Sequence, residues 1–343
     1  MNNRFAKLRS MCLAFLLIIA IFCGCASFGG ISAEEYFTIG MAYFEMGKFA
    51  DAERWLNRAR AKDRTMSASE YNLGRIAFET GRFDEAARYF ESVLKRDPGN
   101  VLALRAAAYT HIRNGNIEKA LELYNRLLVL VPESADDGYN HALVLFALEK
   151  YAEAEQVLAN YEFALLENND VLLLFARAQR KQNKVEALDS FAKWLANNND
   201  AKVRFEYAQF LESLEHYARA LEEYRTALAG LPSGSTDPTR PELRFIIARL
   251  LLVADSGSAG GLDELKGAVA DGFDDLEAIE GLLSNNKISA ANRGEIRTIL
   301  AATRRTVEAA KAAEAAAENE ADAEDDAEEE GDLAENADGE QTE

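Results

Sequence analysis

The sequence predicts an all-α chain of stacked antiparallel helix pairs, on three observations. A small residue recurs at Gly40, Gly74, Ala108, Ala142, Ala176 and Ala208, evenly spaced up to Ala176 and slightly closer at the last step. A turn position follows each one: Gly47, Gly81, Gly115, Glu149, Asn183 and Glu215. An alanine then sits early in the second half of each unit, at Ala52, Ala86, Ala120, Ala154, Ala187 (one step early) and Ala220. Self-similarity at a period of about 34 residues marks a unit that cannot bury its apolar face alone and does so by stacking on copies of itself. The chain has 48% hydrophobic residues and only 5 prolines, so long helices are readily placed.

Taken in order, the chain opens with Arg4, Lys7 and Arg9 ahead of an apolar run over residues 11–22. A basic stretch before a short apolar one has the form of a signal peptide and is too short for a comfortable membrane span. Phe22, Cys23, Gly24, Cys25, Ala26 and Ser27 follow. This run resembles a bacterial lipobox, in which a small residue precedes the cysteine that becomes the lipidated first residue. Gly24 before Cys25 fits. Phe22 departs from the usual leucine and resembles the relaxed lipoboxes of spirochaetes. The alternative is an ordinary cleaved signal peptide with incidental cysteines. The resemblance implies that residues 1–24 are removed and that Cys25 carries palmitate-type acylation. More than one acyl chain suffices for stable anchoring. Residues 25–32 would then be a tether, of which the seven residues after Cys25 span at most about 25 Å. The folded body would thus be held, periplasm-facing, close to a bacterial membrane of the cell envelope. Ala26 and Ser27 include no aspartate, which in an enteric-type sorting system favours the outer membrane. The remaining cysteine is Cys12, so nothing after Cys25 offers a disulfide framework or a thiolate site.

Residues 33–232 hold the six units. The small residue on the first helix is expected to face a small residue on the second, letting the axes approach. The turn residue is expected in the left-handed conformation that ends a helix. Phe49, Phe83, Ile117, Tyr151, Val185 and Tyr217 follow the turns and cover the open end of each pair. Pro98, Pro132 and Pro232 stop three of the second helices. The fifth unit, residues 169–200, departs: its turn reads one residue short, which shifts its second helix. Leu158 and Tyr161 in the fourth unit also fall off the pattern. The whole pattern resembles the tetratricopeptide repeat family. That resemblance implies a right-handed superhelix whose first helices line a concave, ligand-bearing face.

After Pro232 the register fades. Residues 233–240 read as a linker rich in Pro, Gly, Ser and Asp. Residues 241–254 and 262–270 read as the helices of a degenerate seventh pair, separated by a loop at 255–261. Residues 276–283 are a short helix, and Ser289 is placed to cap a long one through Ile296, Ile299, Leu300 and Val307. These capping helices close the body at about residue 310. Residues 311–343 are Ala/Glu-rich and then acidic, a composition expected to be disordered.

Net charge is −20, which disfavours nucleic acid and anionic lipid as general partners. That charge is concentrated: Glu314–Glu343 holds 15 acidic residues and no basic ones, leaving about −5 to the rest. The three histidines are His111 and His141 on first helices and His216 in a turn, with no spacing that converges on a metal or nucleophile. No phosphate loop, HExxH or Gly-x-Ser-x-Gly is present. The reading is therefore a binding protein with no cofactor or metal, not an enzyme.

By position in the repeat, one face of the first helices presents Phe37 and Met41, then Tyr71 and Arg75, then Arg105 and Tyr109, then Tyr139 and Leu143. Asn72 and Asn140 occupy matching places beside it, and Arg177 continues it into the fifth unit. Phe44, Phe78, Ile112 and Phe146 share this spacing but read equally well as a core stripe. Rings supply contact area at low entropy cost, Arg pairs carboxylates, and Asn holds peptide backbone. The expected function is a membrane-anchored scaffold that binds a peptide or protein partner in cell-envelope assembly. A second reading is an accessory subunit of a solute transporter or periplasmic binding-protein system, with protein partners or a hydrophobic ligand in its groove.

Overall fold

A computed structural model describes residues 30–161, 168–254 and 259–338. Among the described residues the chain forms sixteen α-helices. It divides into two compact units, Met1–Gln182 and Asn183–Glu343.

The first unit holds α1 (Ala33–Glu45), α2 (Phe49–Lys62), α3 (Ser67–Glu79), α4 (Phe83–Arg96), α5 (Val101–Arg113), α6 (Ile117–Leu130), α7 (Ala135–Ala147), α8 (Tyr151–Ala159) and α9 (Asn169–Lys181). Odd-numbered helices are the first members of each pair. Several of their N-termini are capped by side chains, which supply acceptors for otherwise unpaired backbone N–H groups. Ser32 and Glu35 form a reciprocal capping box, and Asn100 and Ser134 accept from the amides of Ala103 and Asp137.

The turn inside each pair is built as its sequence position requires. Gly47, Gly81 and Gly115 have φ of 70°, 76° and 76°, and Glu149, Asn183 and Glu215 follow at 58°, 56° and 62°. In four pairs of this unit the next amide donates to a carbonyl five residues back, as Arg82 does to Ala77 at 2.8 Å and Lys150 to Leu145 at 2.9 Å. Such a bond satisfies a carbonyl that the helix end leaves open. Pro98 and Pro132 lie two residues past the ends of α4 and α6.

Close approach of the two helices has a different cause from the expected one. The small residue faces a large one. A Cβ added at Gly40 would stand 2.8 Å from the Leu56 side chain, and one at Gly74 would stand 2.7 Å from the Phe90 ring. Tyr124 and Leu158 hold the corresponding places in the next two pairs, and all four are fully buried. The first helix thus offers a notch and the second a knob. Leu158, expected off the pattern, is the knob of the fourth pair. Tyr161 lies across Gly138, where a Cβ would meet its ring at 2.0 Å, and its hydroxyl donates to the Pro132 carbonyl at 3.0 Å.

The second unit holds α10 (Ala187–Asn197), α11 (Ala201–Ser213), α12 (Tyr217–Gly230), α13 (Arg240–Ala254), α14 (Ala259–Ala270), α15 (Leu276–Leu283) and α16 (Ala290–Asp338). The turn at Asn183 is of ordinary length, so the missing residue of the fifth repeat lies elsewhere. The amides of Ala187, Leu188 and Asp189 donate to Lys184, Val185 and Glu186, three residues back. A stretch of this tighter winding takes three residues per turn instead of 3.6 and absorbs the deficit. Phe191 then fills the knob position one residue early, fully buried like Tyr224 of α12.

α13 and α14 pack as a pair, and Phe245, Leu252, Leu265, Ile279, Ile296 and Leu300 share one core. Ser289 caps α16 through the Asn292 amide at 3.1 Å. The stretch from residue 311, expected to be disordered, continues α16 to Asp338. Alanine and glutamate are strong helix formers, and α16 is seeded by the packed turns at Ile296, Ile299 and Leu300.

Candidate partner-binding face

The predicted face separates into residues that hold the repeats together and residues that present chemistry outward. Phe37 and Met41 on α1 pack against the core of Ala52, Leu56, Leu73 and Ile76. Tyr71 packs on the next cluster and meets Phe90 at 5.5 Å. Tyr139 packs on a third, with Leu145 and Leu158. Each of these four is half-buried. Tyr109 and Leu143 are more open, at 45% and 39% exposure.

The polar residues divide in the same way. Asn72 is buried; its amide donates to the Ala68 carbonyl at 2.9 Å and its oxygen accepts from Arg75 at 3.0 Å. Its nitrogen and its oxygen are each engaged once inside the chain, which leaves one N–H and one lone pair on a buried amide. Asn140 is half-buried. Arg105 is also committed: its Nε and Nη2 donate to the two oxygens of Asp137 at 2.7 and 2.6 Å. Asp137 is only 1% exposed. Burial pushes its carboxyl up, but hydrogen bonds from Arg105 and Ser134 outweigh that and hold it below the ordinary value. Asp137 was not picked out by sequence. Its signal is the acid three residues after the Ser134 cap, one repeat from an arginine. Arg177 is half-buried and engaged, and it opposes the burial that pushes the Tyr139 hydroxyl up.

Arg75 remains available. Its guanidinium lies 4.4 Å from the Phe44 ring centroid and donates to Asn72. It has no ion pair among the described residues, unlike Arg82, Arg96 and Arg105 of the same unit. Arg113 is similar, stacked 5.8 Å from Phe78 and 5.4 Å from Phe83, again without a carboxylate among the described residues. Phe78 in turn meets Tyr109 at 5.4 Å. Phe44, Arg75, Phe78, Tyr109 and Arg113 therefore form a run over three repeats. Rings that hold a guanidinium flat lower the entropy it loses on meeting a carboxylate.

The histidines stand apart from this run. His141 stacks near Tyr124 at 6.4 Å, and neither ring nitrogen has a hydrogen-bond partner among the described residues. Burial lowers its pKa, with Glu153 acting weakly the other way. The same burial pushes the Tyr124 hydroxyl up to about 12. His111 Nε2 lies 3.5 Å from Glu91 without hydrogen-bond geometry. Among the described residues no group of three His, Cys, Asp or Glu is placed to hold a metal. Cys25, the targeting segment before it and residues 26–29 of the tether lie outside the described residues.

Notched first helices, knobbed second helices and left-handed turns at a fixed interval define a helix-pair repeat protein. The tetratricopeptide repeat family model matches residues 37–86 and again 71–135, the stretch that holds the first three helix pairs. A crystal structure of a tetratricopeptide repeat protein from Parabacteroides merdae is 24% identical, with a TM-score of 0.50, over 74% of this chain and 98% of that one. The C-terminal part of a TPR repeat-containing protein from Cytophaga hutchinsonii gives a TM-score of 0.53 at 16% identity, over 68% and 96%. These two likenesses concern the fold alone. An uncharacterized lipoprotein of Treponema pallidum is 24% identical over 177 residues, 51% of this chain and 90% of that protein.

Proposed function

We propose that the chain is a lipid-anchored scaffold of the bacterial cell envelope that holds an acidic, partly aromatic or aliphatic segment of a protein partner against α3, α5 and α7. The observation that carries this is the run of Arg75 and Arg113, held by rings and free of internal carboxylates among the described residues, beside the exposed Tyr109. A partner carboxylate gains charge-assisted hydrogen bonds there, and Tyr109 and Leu143 supply apolar contact. Anchoring is supported by the lipobox-like run ending at Cys25 and by the similarity to a Treponema lipoprotein. No helix among the described residues is long and apolar enough to cross a membrane.

The test is site-specific photo-cross-linking in intact cells. A photoreactive residue at position 109 or 143 should give a discrete adduct that Arg75→Glu abolishes. The same probe at Val129, 80% exposed on a second helix, should not. Identical adducts from position 129, or adducts indifferent to Arg75→Glu, would overturn the assignment.

A further inference from the structure

The second unit contains a cavity of about 650 Å³ that no repeat motif marks. Its lining is mixed, and part of it is apolar. Phe205 comes from α11, Ile246 and Phe245 from α13, and Phe273 from the loop before α15. Phe245 and Phe273 stack face to face, with centroids 4.3 Å apart and planes at 11°. The rim carries four carboxylates: Asp237, Glu242, Asp274 and Asp275. Their bonding is informative. Asp237 meets the ammonium of Lys202 at 2.8 Å. Glu242 accepts from the amide and hydroxyl of Thr239 at 2.9 and 2.8 Å, and Asp275 accepts from the Ala278 amide at 2.9 Å. Lys202 offsets the charge of Asp237, whereas the Thr239 and Ala278 donors are neutral and fix Glu242 and Asp275 without an opposing charge. Asp274 is exposed and has no partner among the described residues.

We propose that this cavity receives a basic side chain, lysine or arginine, from a partner polypeptide. The alkyl stem would lie along Phe205 and Ile246 while the cation meets the rim, as amphipathic cations divide between apolar and polar surroundings. The volume lies within the range of ligand sites and accommodates one long side chain with its flanking backbone. Charge selects the occupant. The rim repels anions, and the chain's own terminal stretch Glu314–Glu343, with 15 acidic side chains and no basic ones, is excluded. The site is independent of the arginine run in the first unit and has the opposite preference.

Fluorescence anisotropy of the full chain tests it, using labelled Gly-Lys-Leu-Arg-Gly and its charge-reversed mate Gly-Glu-Leu-Glu-Gly. The basic peptide should bind in a salt-sensitive manner and the acidic one should not. Asp274→Asn, an exposed change that leaves every described bond intact, should weaken binding about threefold. Ala278→Lys, which tethers an ammonium at the cavity, should weaken it about tenfold or more while the helical circular dichroism is unchanged. Arg75→Glu should have no effect. Deleting residues 314–343 should leave binding in place. Loss of binding on that deletion would assign it to the acidic tail and overturn the proposal. So would equal binding of the two peptides, or indifference to both cavity variants.

Discussion

His141 sits at 6% exposure with both ring nitrogens unpaired among the described residues, in a place where the second and fifth repeats have Leu73 and Phe175. Its folded pKa is depressed by burial, so protonation favours the unfolded chain. The sign follows: stability is full above the unfolded value of about 6.5 and falls as pH drops below it. His141→Phe should therefore raise stability by about 1 kcal/mol at neutral pH. It should also flatten the loss between neutral and mildly acidic pH, as urea denaturation at several pH values would show. Asp137 works in the other range. Its depressed pKa contributes stability at neutral pH that is lost only as pH falls below the ordinary carboxylate value of 3.8 and through the folded one. Removing its partner with Arg105→Ala leaves a buried carboxylate unpaired and should cost about 2 kcal/mol, less than a fully buried pair because Arg105 is partly solvated. Urea midpoints would measure that cost. If Arg105→Ala instead left stability unchanged and abolished partner cross-linking, Arg105 would act in recognition and not in packing.

At the scale of the element, the turn and the notch carry the repeat. Glu149, Asn183 and Glu215 occupy a left-handed conformation that costs a side-chain-bearing residue about 1 kcal/mol. Glu149→Gly and Glu215→Gly should each stabilise the chain by nearly that amount, less the entropy glycine adds to the unfolded state. Gly74→Val should do the opposite. Its added carbons enter the space of the Phe90 ring, and the overpacking should cost about 3 kcal/mol. Thermal unfolding of the three variants would rank them. Pairing Gly74→Val with Phe90→Ala should recover part of the loss, since the notch and knob are one contact.

At the scale of the whole molecule, charge and attachment are separable from the repeats. The body carries about −5 and Glu314–Glu343 about −15, so the acidity is that of the chain beyond the packed turns of α16. If Cys25 is the anchor, Cys25→Ser should move the protein from the membrane to the soluble fraction and change the mature mass by the loss of the acyl groups. Unchanged membrane retention and mass would dismiss the lipid reading. The arginine-run test would remain valid, because it depends on residues in the second to fourth repeats and not on the tether.

The sequence by itself determined the helix pairs, since a period of about 34 residues with a small residue, a turn and an apolar second helix leaves each unit no other way to bury its apolar face. It located the turn at every repeat, including the three without glycine, because spacing alone marks where the chain must reverse. Tertiary structure decided the rest. Gly74 was legible as small, but its opposite number, Phe90, emerges only when two helices are laid together. The short fifth repeat was legible as a deficit, and only hydrogen bonds placed the deficit in the first turn of α10. Among the groove residues, Arg75 and Arg105 sit on the same face of their first helices, one helical turn apart in the repeat register. Asp137 separates them, and that partner lies nearly one repeat beyond Arg105 and nearly two beyond Arg75. Whether a guanidinium is free to meet another molecule depends on the carboxylates that folding brings within reach, and a linear pattern does not contain that distance.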